Sequence, residues 1–257
     1  MYPERTDPAH DFNLRPLTMN PTAKSELLSS GKLRVGVNLG NFLLVSKDPA
    51  NGELRGIVPD LAQELGRRLG AQVELVSYPG AGQVADAGAT NGWDVGFIGA
   101  EPQRAEQIAF TLAYLEIPAT YLVPAGSPIR RLEDVDRAGV RIAVANKSAY
   151  DLYLSRNIQH ATLVRAEGIG GSYDLFVGEK LEVLAGLLPR LVTDTLRLPG
   201  SRILEGRFTA VQQAIGTPRA RSAAAAYLSG FVADIKASGL VAKLIERHGA
   251  KGVSVAP

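Results

Sequence analysis

Cysteine is absent from the 257 residues, which excludes disulfides, thiolate zinc sites and cysteine nucleophiles together. Long apolar runs are missing too: no stretch approaches the roughly 20 residues that a membrane-spanning helix needs. Net charge is close to nil, with 28 Lys and Arg against 26 Asp and Glu, and no basic block stands out. That balance argues against nucleic acid as a partner. The three histidines, His10, His160 and His248, show no metal-ligand spacing, and no G-x-S-x-G elbow is present. There is no repeat of fixed period, and the Ala223–Ala226 run is simply good helix former. What remains is 46% hydrophobic and 21% charged, the balance of a folded globular chain with enough length for one large or two small cores.

The opening MYPERTDPAHDFNLRPLTMNPTAKSELL carries charges and prolines where an export signal would place an apolar core. Met1 to Pro21 read as a loose tail, with Met19 as a second candidate start. Such an opening fits two settings: an exported protein written without its leader, or a cytosolic one.

From there the chain alternates. Thr22 to Ser30 predicts a short helix capped by Thr22, and LRVGVNL (Leu33–Leu39) a buried strand. Asn51-Gly52 signals a hairpin, Asp60 to Leu69 a helix stopped by Gly70, and AQVELVSY a strand. GWDVGFIG follows as a strand, AEPQRAEQIAF as a helix start, and TYLVPAG as a strand. RLEDV, VRIAVAN, SAYDLYLSRN, HATLVRA, YDLFVGEKL and LEVLAGLL continue as helix, strand, helix, strand, helix and strand. ILEGRFTAVQQAIG gives two strands, and Arg219 to His248 one long alanine-rich helical pattern. Regular alternation of this kind predicts an α/β fold with parallel-rich sheets and helices on both faces. Two crossovers are expected, near Val123-Pro124 and from Phe208 to Gln212.

The order of four segments resembles the amino-acid-type periplasmic solute-binding proteins of ABC importers, which have the type II periplasmic-binding-protein fold. GKLRVGVN with NGELRGIVPDLAQELGRRLG is similar to that family's opening strand, hairpin and first helix. GWDVGFIGAEPQRAEQIAFTLAYLE is similar to the stretch that carries its ligand-binding arginine. AGSPIRRLEDVDRAGVRIAVANKSAYDLYL resembles the start of its second lobe, and AAAYLSGFVADIKASGLVAKLIERHG its final helices. The resemblance, running from about Gly31 to Gly249, implies two lobes joined by a two-strand hinge, closing on a ligand. Lobe 1 is then expected over 31–123 and 210–257 and lobe 2 over 124–209, after a tail and short helix over 1–30.

Within that frame Arg104 falls where the family binds the ligand carboxylate, and a guanidinium fork suits a carboxylate through two parallel bonds. Pro102 in a first turn would place Arg104 near a helix N-terminus. Ser148 opens the helix after VRIAVAN, where a serine cap and free N–H groups can face an anion from the second lobe. Asn38, Asn41 and Phe42 follow the first strand at the cleft edge, with Phe42 or Tyr150 as an aromatic wall and Glu116 near the floor or hinge.

Two departures stand out. The stretch before Arg104, Phe97 to Glu101, is shorter than in the family and lacks hydroxyls. The strand LEVLAGLL gives Gly186, Leu187 and Leu188 where the family places an acid against the ligand α-ammonium. A buried ammonium without a carboxylate is costly. The ligand is therefore expected to carry a carboxylate without a free amine or with its cation elsewhere, unless Glu101 or Glu116 takes over the pairing.

The function expected is capture of a small anionic or zwitterionic organic molecule as the binding component of an ABC importer, with a permease as partner. The chain is expected to act as a monomer, with no cofactor, metal, nucleic acid or membrane insertion. The setting follows the compartment: periplasmic if a leader has been removed, cytoplasmic if the chain is complete. The alternatives are a cytosolic ligand sensor or buffer and a dehydratase-like enzyme using Glu101, Glu116 or Lys147 as general acid.

Overall fold

The computed structural model describes residues 20–257; the expected loose tail, Met19 and His10 lie outside the described residues. Helix α1 (Pro21–Leu27) is capped by Asn20, whose side chain accepts from Thr22 N, so the cap stands two residues before the expected one. Strand β1 (Leu33–Asn38) is followed by the β2–β3 hairpin (Ser46–Lys47 and Leu54–Arg55). Its loop is longer than a two-residue turn, because Asn51 uses its side chain to accept from Glu53 N. Helix α2 (Ile57–Leu69) starts a turn earlier than its leucine spacing suggested and ends on left-handed Gly70.

Next come β4 (Val73–Tyr78), α3 (Ala81–Ala89), β5 (Val95–Gly99), the single turn α4 (Pro102–Ala105), β6 (Ile108–Phe110) and β7 (Leu115–Val123). Pro118 lies inside β7, paired in register with Ala210; a proline argues against a central strand, which is why the sequence pattern started this strand late. After a 3-10 turn at Leu132–Asp134 follow β8 (Arg141–Ala145), α5 (Ala149–Asn157), β9 (Thr162–Ala166), α6 (Gly168–Gly178), β10 (Val183–Leu187) and α7 (Leu188–Arg197). The chain returns through β11 (Arg202–Ile203) and β12 (Thr209–Pro218) to α8 (Ser222–Ala237), α9 (Leu240–Arg247) and β13 (Ser254–Val255). The single long terminal helix expected from composition is two, broken where Gly239 stands at φ +77°.

Among the described residues the main sheet runs β4-β1-β5-β12-β7-β10-β8-β9. The β1 pairings with β4 and β5 are parallel, as are those of β8 with β9 and β10. Between these two parallel groups the long strands β7 and β12 run antiparallel to each other, with Thr209 opposite Ala119 and Gln213 opposite Leu115. This central pair is the connection between two halves, and the carboxyl ends of β1, β5, β8, β9 and β10 meet beside it. In open α/β sheets such strand ends are where ligands bind.

The first half is locked by Trp93. Its buried indole donates Nε1–H to the Val84 carbonyl of α3 at 2.8 Å. Gly36, Gly88 and Gly96 make room for the ring, for a Cβ on any of them would come within 3.0 Å of indole atoms. Overpacking of that kind is destabilising. The lock packs α3 against β1 and β5.

Candidate functional site

Between the halves lies a cavity of about 200 Å³. Asn38, Asn41 and Arg104 line it from the first half, Ser148 and Tyr150 from the second, and Val211 and Gln213 from β12. The approach is close: a Cβ on Gly99, at the end of β5, would stand 2.8 Å from Val211 Cγ1 and 3.0 Å from the Ala149 Cβ of the second half. A hydroxyl residue of the kind expected at this level has no room here.

Arg104 is 6% exposed. Its Nη1 donates to the Gly99 carbonyl at 2.6 Å, and its Nη2 crosses to the Lys147 carbonyl of the second half at 2.9 Å. Lys147 stands in the left-handed region at φ +53°, in the turn between β8 and α5. Among the described residues, no carboxylate comes within 4.0 Å of the guanidinium. Burial therefore lowers its pKa to about 10, even though Glu101 and Asp86 pull the other way. Arg104 remains a cation at neutral pH, and three of its five N–H donors are uncommitted. The helix-end placement expected for it is not found in a useful form: α4 is one four-residue turn, too short for a macrodipole to matter. Backbone carbonyls hold the side chain instead.

Ser148 is the N-cap of α5, accepting from Asp151 N at 3.0 Å, and also lines the cavity. Asn38 accepts from Gly40 N and so shapes the loop that presents Asn41, whose buried Oδ1 has no hydrogen-bond partner. Tyr150 is 2% exposed and its hydroxyl also completes no hydrogen bond, although Ser148 lies near enough to influence its titration. Burial is the larger effect and pushes this phenol up.

The structure does not bring the other expected residues into the cavity. Phe42 is 44% exposed and stacks 6.0 Å from the Arg190 guanidinium of α7. Glu101 turns to Arg156 of α5 at 2.5 Å. Glu116 is held by Gln212 at 2.9 Å and Arg207 at 3.2 Å on β12 and the turn before it, which keep its carboxyl below the usual range. Neither glutamate stands where Leu187 lines the cavity. Asn146, Glu167 and Gln83 line it without having been singled out from sequence. A second cavity of about 280 Å³ lies on the far side of Arg104, between Asp86, Gln103 and Lys147. His160 and His248 line neither, and the described residues contain no group of three metal-ligating side chains.

A buried cation at the junction of two α/β halves can now be set beside known proteins. Residues 33–251 match the bacterial extracellular solute-binding proteins, family 3. The chain belongs to that family. Among solved structures it is similar to a mutant of ArgBP from T. maritima, with 21% identity, 89% of this chain and 100% of that chain covered, and a TM-score of 0.73. It is similar also to the solute receptors for L-cysteine of Neisseria gonorrhoeae, at 19% identity, 88% and 92% coverage and a TM-score of 0.74. An ancestral amino acid-binding protein, a precursor of cyclohexadienyl dehydratase, shares 21% identity over 87% of this chain and 98% of that one, with a TM-score of 0.71. A comparison with curated proteins finds no match. This family 3 chain thus has the two-lobed, type II periplasmic-binding-protein fold, and among its described residues no helix is long and apolar enough to cross a membrane.

Proposed function

We propose that the protein captures a small organic carboxylate between its lobes as the extracytoplasmic binding component of an ABC importer. The observation that supports this most is Arg104: a buried guanidinium, bonded only to carbonyls, with donors facing a cavity that both lobes line. A carboxylate there accepts the free fork, and the capped N-terminus of α5 presents the Ser148 hydroxyl from the other side. The segments 31–123 and 210–257 form one moving unit and 124–209 the other, with β7 and β12 as the hinge. A ligand that touches both units favours the closed arrangement because only there are both sets of contacts made. Binding rather than catalysis is the better reading, since Glu101 and Glu116 are committed to ion pairs outside the cavity.

A thermal-shift screen of the purified protein against hydroxy, keto, amino and aromatic acids tests the reading. A ligand that binds the folded state alone adds about 2.7 kcal/mol at 100 times its Kd, a rise of several degrees in Tm. Organic acids are expected to raise Tm and their esters or amides to leave it unchanged; the reverse pattern rejects the carboxylate reading.

Closure also brings charges together. Glu101 meets Arg156 at 2.5 Å, and Asp86 meets Lys147 at 2.9 Å, each pair joining one half to the other. The second pair is well exposed and contributes little. Glu101 is more enclosed, so Glu101→Gln is expected to weaken ligand binding by about two- to fivefold at low salt and by less at high salt. Affinities measured at two ionic strengths check this, and an unchanged affinity at low salt removes the pair from the closing mechanism.

A further inference from the structure

Among the residues lining the 200 Å³ cavity, two carry charge: Arg104 and Glu167. Glu167 follows β9 and precedes α6, and its side chain does not cap that helix. One carboxylate oxygen accepts from the Asn146 amide at 2.8 Å, a neutral donor, and among the described residues no cationic side chain pairs with it. Leu187, at the end of β10, is one of the three residues at the level where the family places an acid, and it presents hydrocarbon to the same cavity.

The sheet order makes the difference in placement concrete. β8 lies between β10 and β9. Neighbouring strands are about 4.8 Å apart, so the ends of β10 and β9 are separated by roughly 10 Å across the sheet. Arg104 reaches the second half at Lys147, just beyond β8. The negative charge of the second half therefore stands one strand further out from the Arg104 contact, past Asn146, and on the opposite flank of β8 from Leu187. An ammonium held on the Leu187 side of β8, where the family's acid would meet it, therefore does not reach Glu167.

We propose that Glu167 accepts a cationic group of the ligand, and that the site takes an ω-amino or ω-guanidino carboxylate without an α-amine. This rests on the assignment of the carboxylate to Arg104. One end of such a molecule occupies the Arg104 fork, an aliphatic spacer crosses the apolar surface of Ala145 and Ile169, and the far cation bonds Glu167 at the rim. The class follows from the two charges and their separation: a simple carboxylate leaves Glu167 unused, and an α-amino acid meets no acid at Leu187.

Calorimetric titration of the whole chain with δ-aminovalerate, γ-guanidinobutyrate, valerate, L-alanine and L-arginine tests the proposal. At least one of the two ω-cationic acids is expected to bind about tenfold or more tightly than valerate, and more tightly than either α-amino acid. Glu167→Gln keeps the shape and the Asn146 contact; it is expected to remove that tenfold advantage, to change valerate binding less than twofold, and to leave the ligand-free Tm unaltered. Equal affinity for valerate, tighter binding of L-alanine or L-arginine, no binding of either ω-cationic acid, or an advantage that survives Glu167→Gln each overturns it. Arg104→Ala separates the two readings. If it abolishes valerate binding while Glu167→Gln has no selective effect, only the cation assignment falls; if it spares all binding, the carboxylate assignment falls first.

Discussion

Arg104→Ala is expected to weaken ligand binding by about 30- to 1,000-fold while leaving the ligand-free protein nearly as stable as before. The first half of that expectation follows from losing a charge-assisted fork, worth about 2–4 kcal/mol for the pair of bonds together. The second half follows from what Arg104 touches without ligand. Its two bonds go to the Gly99 and Lys147 carbonyls, and burial costs the cation enough to bring its pKa down to about 10. A base whose folded pKa lies below its unfolded value destabilises the fold fully at neutral pH. That penalty fades only as pH rises from about 10 toward the unfolded value. Removing the side chain lifts the penalty and leaves two carbonyls short of a donor, so the terms oppose each other. Arg104→Lys keeps the charge but not the planar fork and is expected to recover only part of the affinity. Calorimetry with the best acid from the screen, alongside ligand-free melting curves, separates the two effects. Full affinity in Arg104→Ala means that the carboxylate sits elsewhere.

Much of the fold was legible because periodicity reports burial on one face. Strands such as Leu33–Asn38 and Arg141–Ala145 alternate or run apolar, and α2 repeats leucine at helical spacing. The elements that were missed lack that signal. Helix α3, AGQVADAGA, has one large apolar side chain, Val84, and is set in place by the distant Trp93. Helix α7 follows β10 without a turn residue, so its first leucine reads as more strand. The glycines of α6 were read apart from the helix that they open, because Gly168 enters it at φ +69°. The site divides the same way. Arg104, Ser148 and the loop from Asn38 to Asn41 stand at strand and helix ends that local sequence identifies, and all line the cavity. Asn146 and Glu167 meet only because β8 and β9 pair in register, Ala145 opposite Ala166. Glu101 and Glu116 looked available until their cationic partners, 55 and 91 residues away in the chain, came into contact.

Asp94→Ala is expected to be the most damaging single substitution to stability, at about 3–5 kcal/mol, because it removes a buried carboxylate and leaves two partly buried cations without their counter-charge. Asp94 is 0% exposed at the start of the turn into β5. It accepts from the Arg34 backbone at 3.0 Å, from Arg34 Nη2 at 2.9 Å and from Arg221 Nη1 at 2.8 Å. Arg221 also donates to the Glu26 carbonyl of α1, and the Glu26 carboxylate accepts from Ala224 N in α8. One carboxylate thus ties β1, α1 and the returning helices to the first lobe, which is how residues at both ends of the chain come to complete it. Burial by itself would raise its pKa, but the hydrogen bonds from Arg34 and Arg221 outweigh it and hold the carboxyl below the usual range. Its stabilisation is therefore full above the unfolded pKa, near 3.9, and is lost as pH falls through the lower folded value. Asp94→Asn should accordingly be less stable than the parent at pH 7 by urea denaturation and close to it in strong acid. For a chain of this length, 3–5 kcal/mol corresponds to roughly 6–20 °C in Tm. The contrast with Arg104 is the sharper test of both assignments. Asp94→Ala is expected to lower Tm and keep the ligand-induced rise, whereas Arg104→Ala keeps Tm and loses the rise. An Asp94 variant that melts normally but no longer responds to ligand would mean that the Asp94 network serves the cleft rather than the fold.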